Sequence, residues 1–161
     1  MPSINSKTAY VIDKFSKESG HGFLSNFHQS TIYIDGVSYS SVEHAYQAHK
    51  TLDIETRNII RSAKSSAEAK KLGRCLMLRP DWEEVKLDLM RSFIRQKFEN
   101  PFLRPQLLAT GDADLINGNT WNDTFFGVCR GVGQNWLGKI LMDERERILK
   151  NEHDAIDNVT S

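Results

Sequence analysis

Trp82, Val85, Leu89, Phe93, Ile94 and Phe98 recur at helical spacing, while Glu83, Lys86, Asp88 and Arg91 take the other faces. The segment after Pro80 is therefore a helix with one side committed to a core. Asn100-Pro101 ends it, because proline disfavours helical backbone in the residue before it. A chain of 161 residues is one domain's worth, long enough to build the core that this stripe demands.

The rest of the chain reads as short elements around that helix. Tyr10-Val11-Ile12 is strand-like. Residues 31–34, the pair Asp35-Gly36 and residues 37–39 form a β-hairpin with a two-residue primed turn. Helices follow at residues 41–50, at 53–61 with Asp53 as cap, and at 66–73 with Gly73 near the end. Residues 102–109 make another short helix, and 135–150 the last, with Leu137, Ile140, Leu141 and Ile148 inward. Between these two lies a long glycine-rich stretch, 111–135, of the kind that is more often functional than idle. The expectation is an α+β fold, predominantly α-helical, with a small hairpin or sheet. It forms one compact domain over residues 1–150, and 151–161 is a flexible tail.

Composition narrows the function classes. Apolar content of 39% with 26% charged residues describes a globular chain. Lys+Arg and Asp+Glu each number 21, so no global charge points to nucleic acid or membrane, though a local basic groove is compatible with that balance. Cys75 and Cys129 are too few for a disulfide framework. No apolar run reaches membrane length, and Met1-Pro2-Ser3-Ile4-Asn5 lacks a charged-then-apolar signal, so a cytoplasmic protein is expected. His44 and His49 stand five apart, which excludes the His-Glu-x-x-His zinc helix, and His21, His28 and His153 add no ligand spacing. Neither a metal nor a cofactor is expected.

Three segments carry residues suited to chemistry. In Ser40-Ser41-Val42-Glu43-His44-Ala45-Tyr46-Gln47-Ala48-His49-Lys50, Glu43 and Lys50 are seven positions apart, about 20° short of two helical turns. They share a face with Gln47, along about 10.5 Å of rise. The same residues also fit an ordinary helix start, with Ser40 and Glu43 as a capping box and Lys50 against the dipole. In Asn117-Gly118-Asn119-Thr120-Trp121-Asn122-Asp123-Thr124-Phe125-Phe126-Gly127, rings, amides and a carboxylate suit stacking a base and bonding a ribose. They equally suit a loop pinned to the core by its aromatics. Arg130-Gly131-Val132-Gly133-Gln134-Asn135 offers a cation, backbone N–H groups and a helix start for a phosphate, or simply a tight loop capped by Asn135.

Taken in order, these pieces resemble the NADAR family, also called YbiA-like. The residues that carry the resemblance begin with Phe23-Leu24-Ser25-Asn26-Phe27, the run from Ser41 to Lys50, Gly73-Arg74, Trp82 and Lys97-Phe98. They continue with Leu108-Ala109-Thr110-Gly111, Asp123-x-x-Phe126-Gly127, Gly133-x-Asn135-x-Leu137-Gly138 and Leu141-Met142. They cover roughly residues 20–148.

The resemblance implies an N-glycosidase that breaks the C1–N bond of a phosphate-bearing ribosyl substrate. That substrate is a ribosylaminopyrimidine phosphate of riboflavin synthesis or an ADP-ribosylated guanine in nucleotide or DNA. It implies Glu43, Lys50 and Asp123 as catalytic residues. The expected binding set is Ser25, Asn26, Phe27, His44, Gln47, Trp82, Asn119, Trp121, Phe126, Gly127, Arg130 and Asn135. Two positions depart from the family's common form, which has Glu where Asn117 stands and Trp where Phe126 stands. The competing expectation, which these departures motivate, is a non-catalytic module that binds ADP-ribose or a related nucleotide.

Overall fold

The computed structural model describes residues 10–161. Residues 1–9, which hold the N-terminal run considered above, lie outside the described residues. The hairpin forms as its sequence requires. β1 is Val11–Ile12; β2 (Gln29–Ile34) and β3 (Val37–Ser41) pair antiparallel, with Ile34 opposite Val37. Asp35 and Gly36 both have positive φ, 51° and 78°, the primed turn whose twist matches that of the strands. Ile32 and Tyr39 face each other on the buried side.

β3 runs straight into α1 (Val42–Ala48). Ser41, in extended backbone, is the N-cap, and its Oγ accepts a hydrogen bond from His44 N at 3.2 Å. The cap thus falls one residue later than the Ser40–Glu43 box would place it, and Glu43 is not consumed in capping. A helix of seven residues cannot stand alone. α1 is held by its surroundings: α2 (Ile54–Arg61), α3 (Ser66–Gly73), α4 (Trp82–Lys97) and the hairpin all pack on it. Ala45 and Ala48 are fully buried, and their small side chains let the neighbours come close. At Gly73 a Cβ would lie 1.9 Å from Gln47 Oε1. Glycine is needed there for this contact, whereas the sequence suggested only a helix stop; Gly73 is in fact the last helical residue.

α4 buries Trp82, Met90, Phe93, Ile94 and Phe98, while Val85 and Leu89 sit half-buried at the margin of the stripe. Each such large apolar side chain contributes about 1.5–3 kcal/mol by leaving water. α5 (Arg104–Ala109) starts two residues later than expected. α6 (Trp136–Thr160) packs on α4 and α5 through the expected inner face. It also continues beyond Lys150: residues 151–160, expected as a tail, are an exposed extension of the helix. The glycine-rich stretch is stitched by two short parallel pairings, β4 (Asp114–Leu115) on β1 and β5 (Gly118–Asn119) on β6 (Val128–Cys129). Strands of two residues have no periodicity to read. No helix among the described residues is long and apolar enough to cross a membrane.

Candidate active site

A cavity of about 120 Å³ opens beside α1. α1 contributes Glu43, Tyr46 and Gln47; the segment before the hairpin contributes Ser25, Asn26 and Phe27. Lys70 of α3 and Met90 of α4 reach it, and the glycine-rich stretch closes it with Asn117, Trp121, Asp123 and Phe126. Its volume falls just below the roughly 150 Å³ that accommodates one benzene. A space of that order is on the scale of one ring and too small for a whole nucleotide.

Glu43 is the dominant chemical feature. Only 7% of it is exposed, and burial pushes its carboxyl above the usual carboxylate range. Opposing that shift are the hydrogen bond that Gln47 Nε2 donates to Glu43 Oε1 at 2.7 Å and the charges of Lys70, Lys50 and His44. Glu43 Oε2 accepts no hydrogen bond from the described residues. Two more acceptors beside it, Asn26 Oδ1 and Gln47 Oε1, are buried without a partner. Buried polar atoms are nearly always satisfied, so these two are exceptions; Gln47 Oε1 packs against Gly73, while Glu43 itself lines the cavity.

Lys50 does not line the cavity. Its ammonium sits 5.5 Å from the centre of the Tyr46 ring, and Tyr46 does line it. Burial lowers the Lys50 pKa; Glu43 opposes that, while Lys70 and Arg74 add to it. α1 ends at Ala48, so Lys50 lies in the turn beyond it and not, as a helix running to residue 50 would have it, on a helical face shared with Glu43; the two groups are coupled only through their charges. Lys70, absent from the expected set, is the lysine that does line the cavity, 4.8 Å from the ring centre of Trp121 and 5.6 Å from that of Phe27. Its sequence context, an Ala- and Lys-rich helix ending on a required glycine, carries no sign of this role.

The other expected residues divide clearly. Asp123 lines the cavity while its Oδ1 accepts from Phe125 N and Phe126 N, at 3.2 and 3.0 Å. Phe126 stands perpendicular to Tyr46 with centroids 5.3 Å apart, and Trp82 packs on the same tyrosine at 5.1 Å without reaching the cavity. His44 turns away, bonding Ser41 Oγ at 2.7 Å and donating from Nε2 to Ala63 O at 3.0 Å. Asn119 spends its amide on Asp123 O, Val128 O, Trp121 N and Asp123 N. Asn135, in left-handed backbone, is the N-cap residue of α6, but its side chain makes no capping hydrogen bond; it donates to Leu115 O and accepts from Asn117 N. Gly127 lies against Asn117 O, 2.3 Å from where a Cβ would stand. Arg130 is an exposed turn residue outside the cavity.

Lys97, which carries the resemblance only as half of the pair Lys97-Phe98, is fully buried. Its Nζ donates to Ser25 O at 2.8 Å, holding the segment that forms one cavity wall, and burial lowers its pKa to about 7. Asn26 O in turn accepts from Glu43 N at 3.0 Å, so that wall is tied to α1 as well. Among the described residues no group of three or more His, Cys, Asp or Glu is arranged to hold a metal.

Comparison with known proteins shows which family has this fold. The chain is 39% identical to N-glycosidase YbiA of Escherichia coli over 142 residues, 86% of this chain and 88% of that protein. An N-glycosidase of Nostoc punctiforme is 39% identical over 80% of this chain and 86% of its own length. A riboflavin biosynthesis protein of Vibrio vulnificus is 38% identical over 83% of this chain, which spans only 37% of that protein. The solution structure of E. coli YbiA superposes with a TM-score of 0.80 at 36% identity, covering 94% of this chain and 95% of the other. Residues 14–149 match the NADAR domain, so the chain belongs to the NADAR domain family.

Proposed function

We propose that this chain is an N-glycosidase that hydrolyses the C1–N bond of an N-ribosylated, phosphate-bearing substrate. The observation that carries the proposal is Glu43: a desolvated carboxyl, not used in capping, open to a ring-sized cavity with unfilled hydrogen-bond acceptors beside it. Relatives named as N-glycosidases, alike over nearly their whole length, support it.

Cleaving a ribosyl C–N bond sends the bonding pair to nitrogen and leaves positive charge at C1. A carboxyl with a raised pKa protonates the departing nitrogen and, once ionised, steadies C1 in a low-dielectric site. Water then attacks C1 and returns its proton to Glu43. Asp123 adds a second carboxylate to the wall, and Gln47 holds Glu43 in place through its amide N–H. An amine route is the alternative within the same chemistry: a lysine forms an imine at C1, which water hydrolyses. Desolvation favours the neutral amine at Lys50, but Lys50 would have to reach past Tyr46, whereas Lys70 already lines the cavity.

The substrate is a ribosylaminopyrimidine phosphate of riboflavin synthesis or an ADP-ribosylated guanine. The relatives named for riboflavin biosynthesis lend support to the first. Incubation with each, followed by detection of free base together with ribose phosphate from the first or ADP-ribose from the second, tests both. Borohydride trapping with the wild type and with Lys50→Ala and Lys70→Ala then separates the routes. A trapped adduct lost in only one variant names the amine, and no adduct alongside full turnover leaves direct water attack. Tight ligand binding with no released base would instead favour a binding module, a reading that Asn117 keeps open by putting an amide in the cavity where the family commonly has Glu.

A further inference from the structure

Acidic and basic residues balance over the chain, but the cations near the cavity do not. Lys70, Lys71 and Arg74 stand together at the end of α3, and none forms a salt bridge among the described residues. With Ala67, Phe27 and Trp121 they line a groove of about 330 Å³. This groove and the Glu43 cavity share Phe27, Lys70 and Trp121. A cleft of about 640 Å³ also adjoins the cavity, through Ser25, Phe27, Asn117 and Trp121. That cleft is aromatic, lined by Phe15, Phe23 and His28, with Lys17 as its single lysine or arginine.

A cavity that holds one ring cannot also hold what the ring carries. A ribosyl substrate seated at Glu43 must send its base and its phosphate outward, to different places. The geometry points to a fixed orientation: the phosphate end lies in the α3 groove on Lys70, Lys71 and Arg74, and the base lies in the aromatic cleft beside Phe23 and Phe27. Three cations with no salt bridge among the described residues suit a phosphate dianion, and an arginine among them offers a two-pronged donor. The negative end of the α3 dipole opposes this with only about half a charge. Rings with exposed faces suit a planar base; Phe27 is 43% exposed and Trp121, on the border of both spaces, 55%. This orientation rests on the N-glycosidase reading and moves the phosphate away from Arg130, which borders neither space.

Binding of ribose 5-phosphate and of ribose, measured by calorimetry, tests the groove without requiring turnover. Wild type should bind ribose 5-phosphate at least tenfold more tightly than ribose. The double variant Lys71→Ala/Arg74→Ala, at two exposed positions, should lose at least tenfold for ribose 5-phosphate, with ribose affinity and Tm unchanged. The proposal is overturned if wild type shows no preference for the phosphate, if the double variant binds it as wild type does, or if Arg130→Gln takes the loss instead. Turnover assayed on the same proteins answers a separate question: absence of base release from every substrate would refute the N-glycosidase reading, whatever the groove binds.

Discussion

α1 and the glycine-rich stretch both wall the cavity, and both present polar side chains to it, but they use those side chains in opposite ways. On α1, backbone hydrogen bonds are satisfied by the helix and by Ser41, so Glu43 and Gln47 are free for other work. Glu43 keeps one carboxylate oxygen without a hydrogen bond and Gln47 keeps its carbonyl oxygen unpartnered. In the glycine-rich stretch there is no regular ladder beyond β4, β5 and β6, so side chains share the satisfaction of the backbone with scattered main-chain bonds. Asn119, Asn135 and one oxygen of Asp123 are spent in this way. On the cavity side of α1, Glu43 and Gln47 thus keep unused hydrogen-bonding capacity, whereas His44 on its other side and the polar side chains of the loop are mostly spent on the scaffold.

The comparison breaks if mutations on the two walls behave alike. Glu43→Gln should lower kcat by roughly 10²- to 10⁴-fold, the range for losing a general acid or base. Its Tm should hold or rise, because a neutral amide relieves the cost of burying the carboxyl and still accepts from Gln47. An equal loss of Tm and activity would mean that Glu43 is scaffold.

Gly73→Ala should act on both quantities. The new methyl meets Gln47 Oε1, Cδ and Cβ at 1.9, 2.7 and 2.9 Å, so Gln47 must move off Glu43. Overpacking of this kind costs about 1–3 kcal/mol, and turnover should fall roughly tenfold with it. Unchanged activity in a folded variant would separate Gln47 from the chemistry.

Asn119→Ala should do the reverse of Glu43→Gln. Removing the amide orphans several loop backbone groups and should cost about 1–3 kcal/mol, lowering Tm by about 2–4 °C per kcal/mol. KM should rise as the loop loosens, with kcat changing less. A fall in kcat at constant Tm would place Asn119 among the reacting groups.

Lys97→Met gives the subtlest effect. Lys97 has a folded-state pKa of about 7 against an ordinary value of 10.5, so between those limits the unfolded chain binds more protons. This group's penalty on folding is full below pH 7 and fades as pH rises towards 10.5. The stability difference between wild type and Lys97→Met should therefore move in wild type's favour across that window. A difference that stays constant in chemical denaturation over the same pH range would show that the Lys97 ammonium is not desolvated.

How much of this was readable from residues alone follows from what each element depends on. The hairpin, α2, α3 and the α4 stripe were legible because turn residues, caps and apolar spacing are local signals. Residues 111–135 were not, since β4 depends on a partner about a hundred positions away and the loop's shape depends on asparagine side chains bonding distant backbone. Of the residues that line the cavity, Glu43, Gln47 and Asn26 were legible from one helical face and a motif. Lys70 was not, because its place depends on how α3 docks on α1. Arg130 and Asn135 looked like a phosphate site because a cation beside glycines and a helix start is locally plausible. Their positive φ values and their outward or structural placement are decided by the fold. The extension of α6 past Lys150 defeated the expectation of a tail because its exposed residues carry no apolar stripe to announce a helix.

The most direct measurement is a crystal structure of Glu43→Gln, with its turnover blocked, grown with an N-ribosyl phosphate substrate. The proposal predicts the sugar ring in the cavity beside α1, with C1 within about 3–3.5 Å of the residue 43 side chain. Sugar density elsewhere on the protein, with that cavity filled only by solvent, would contradict it.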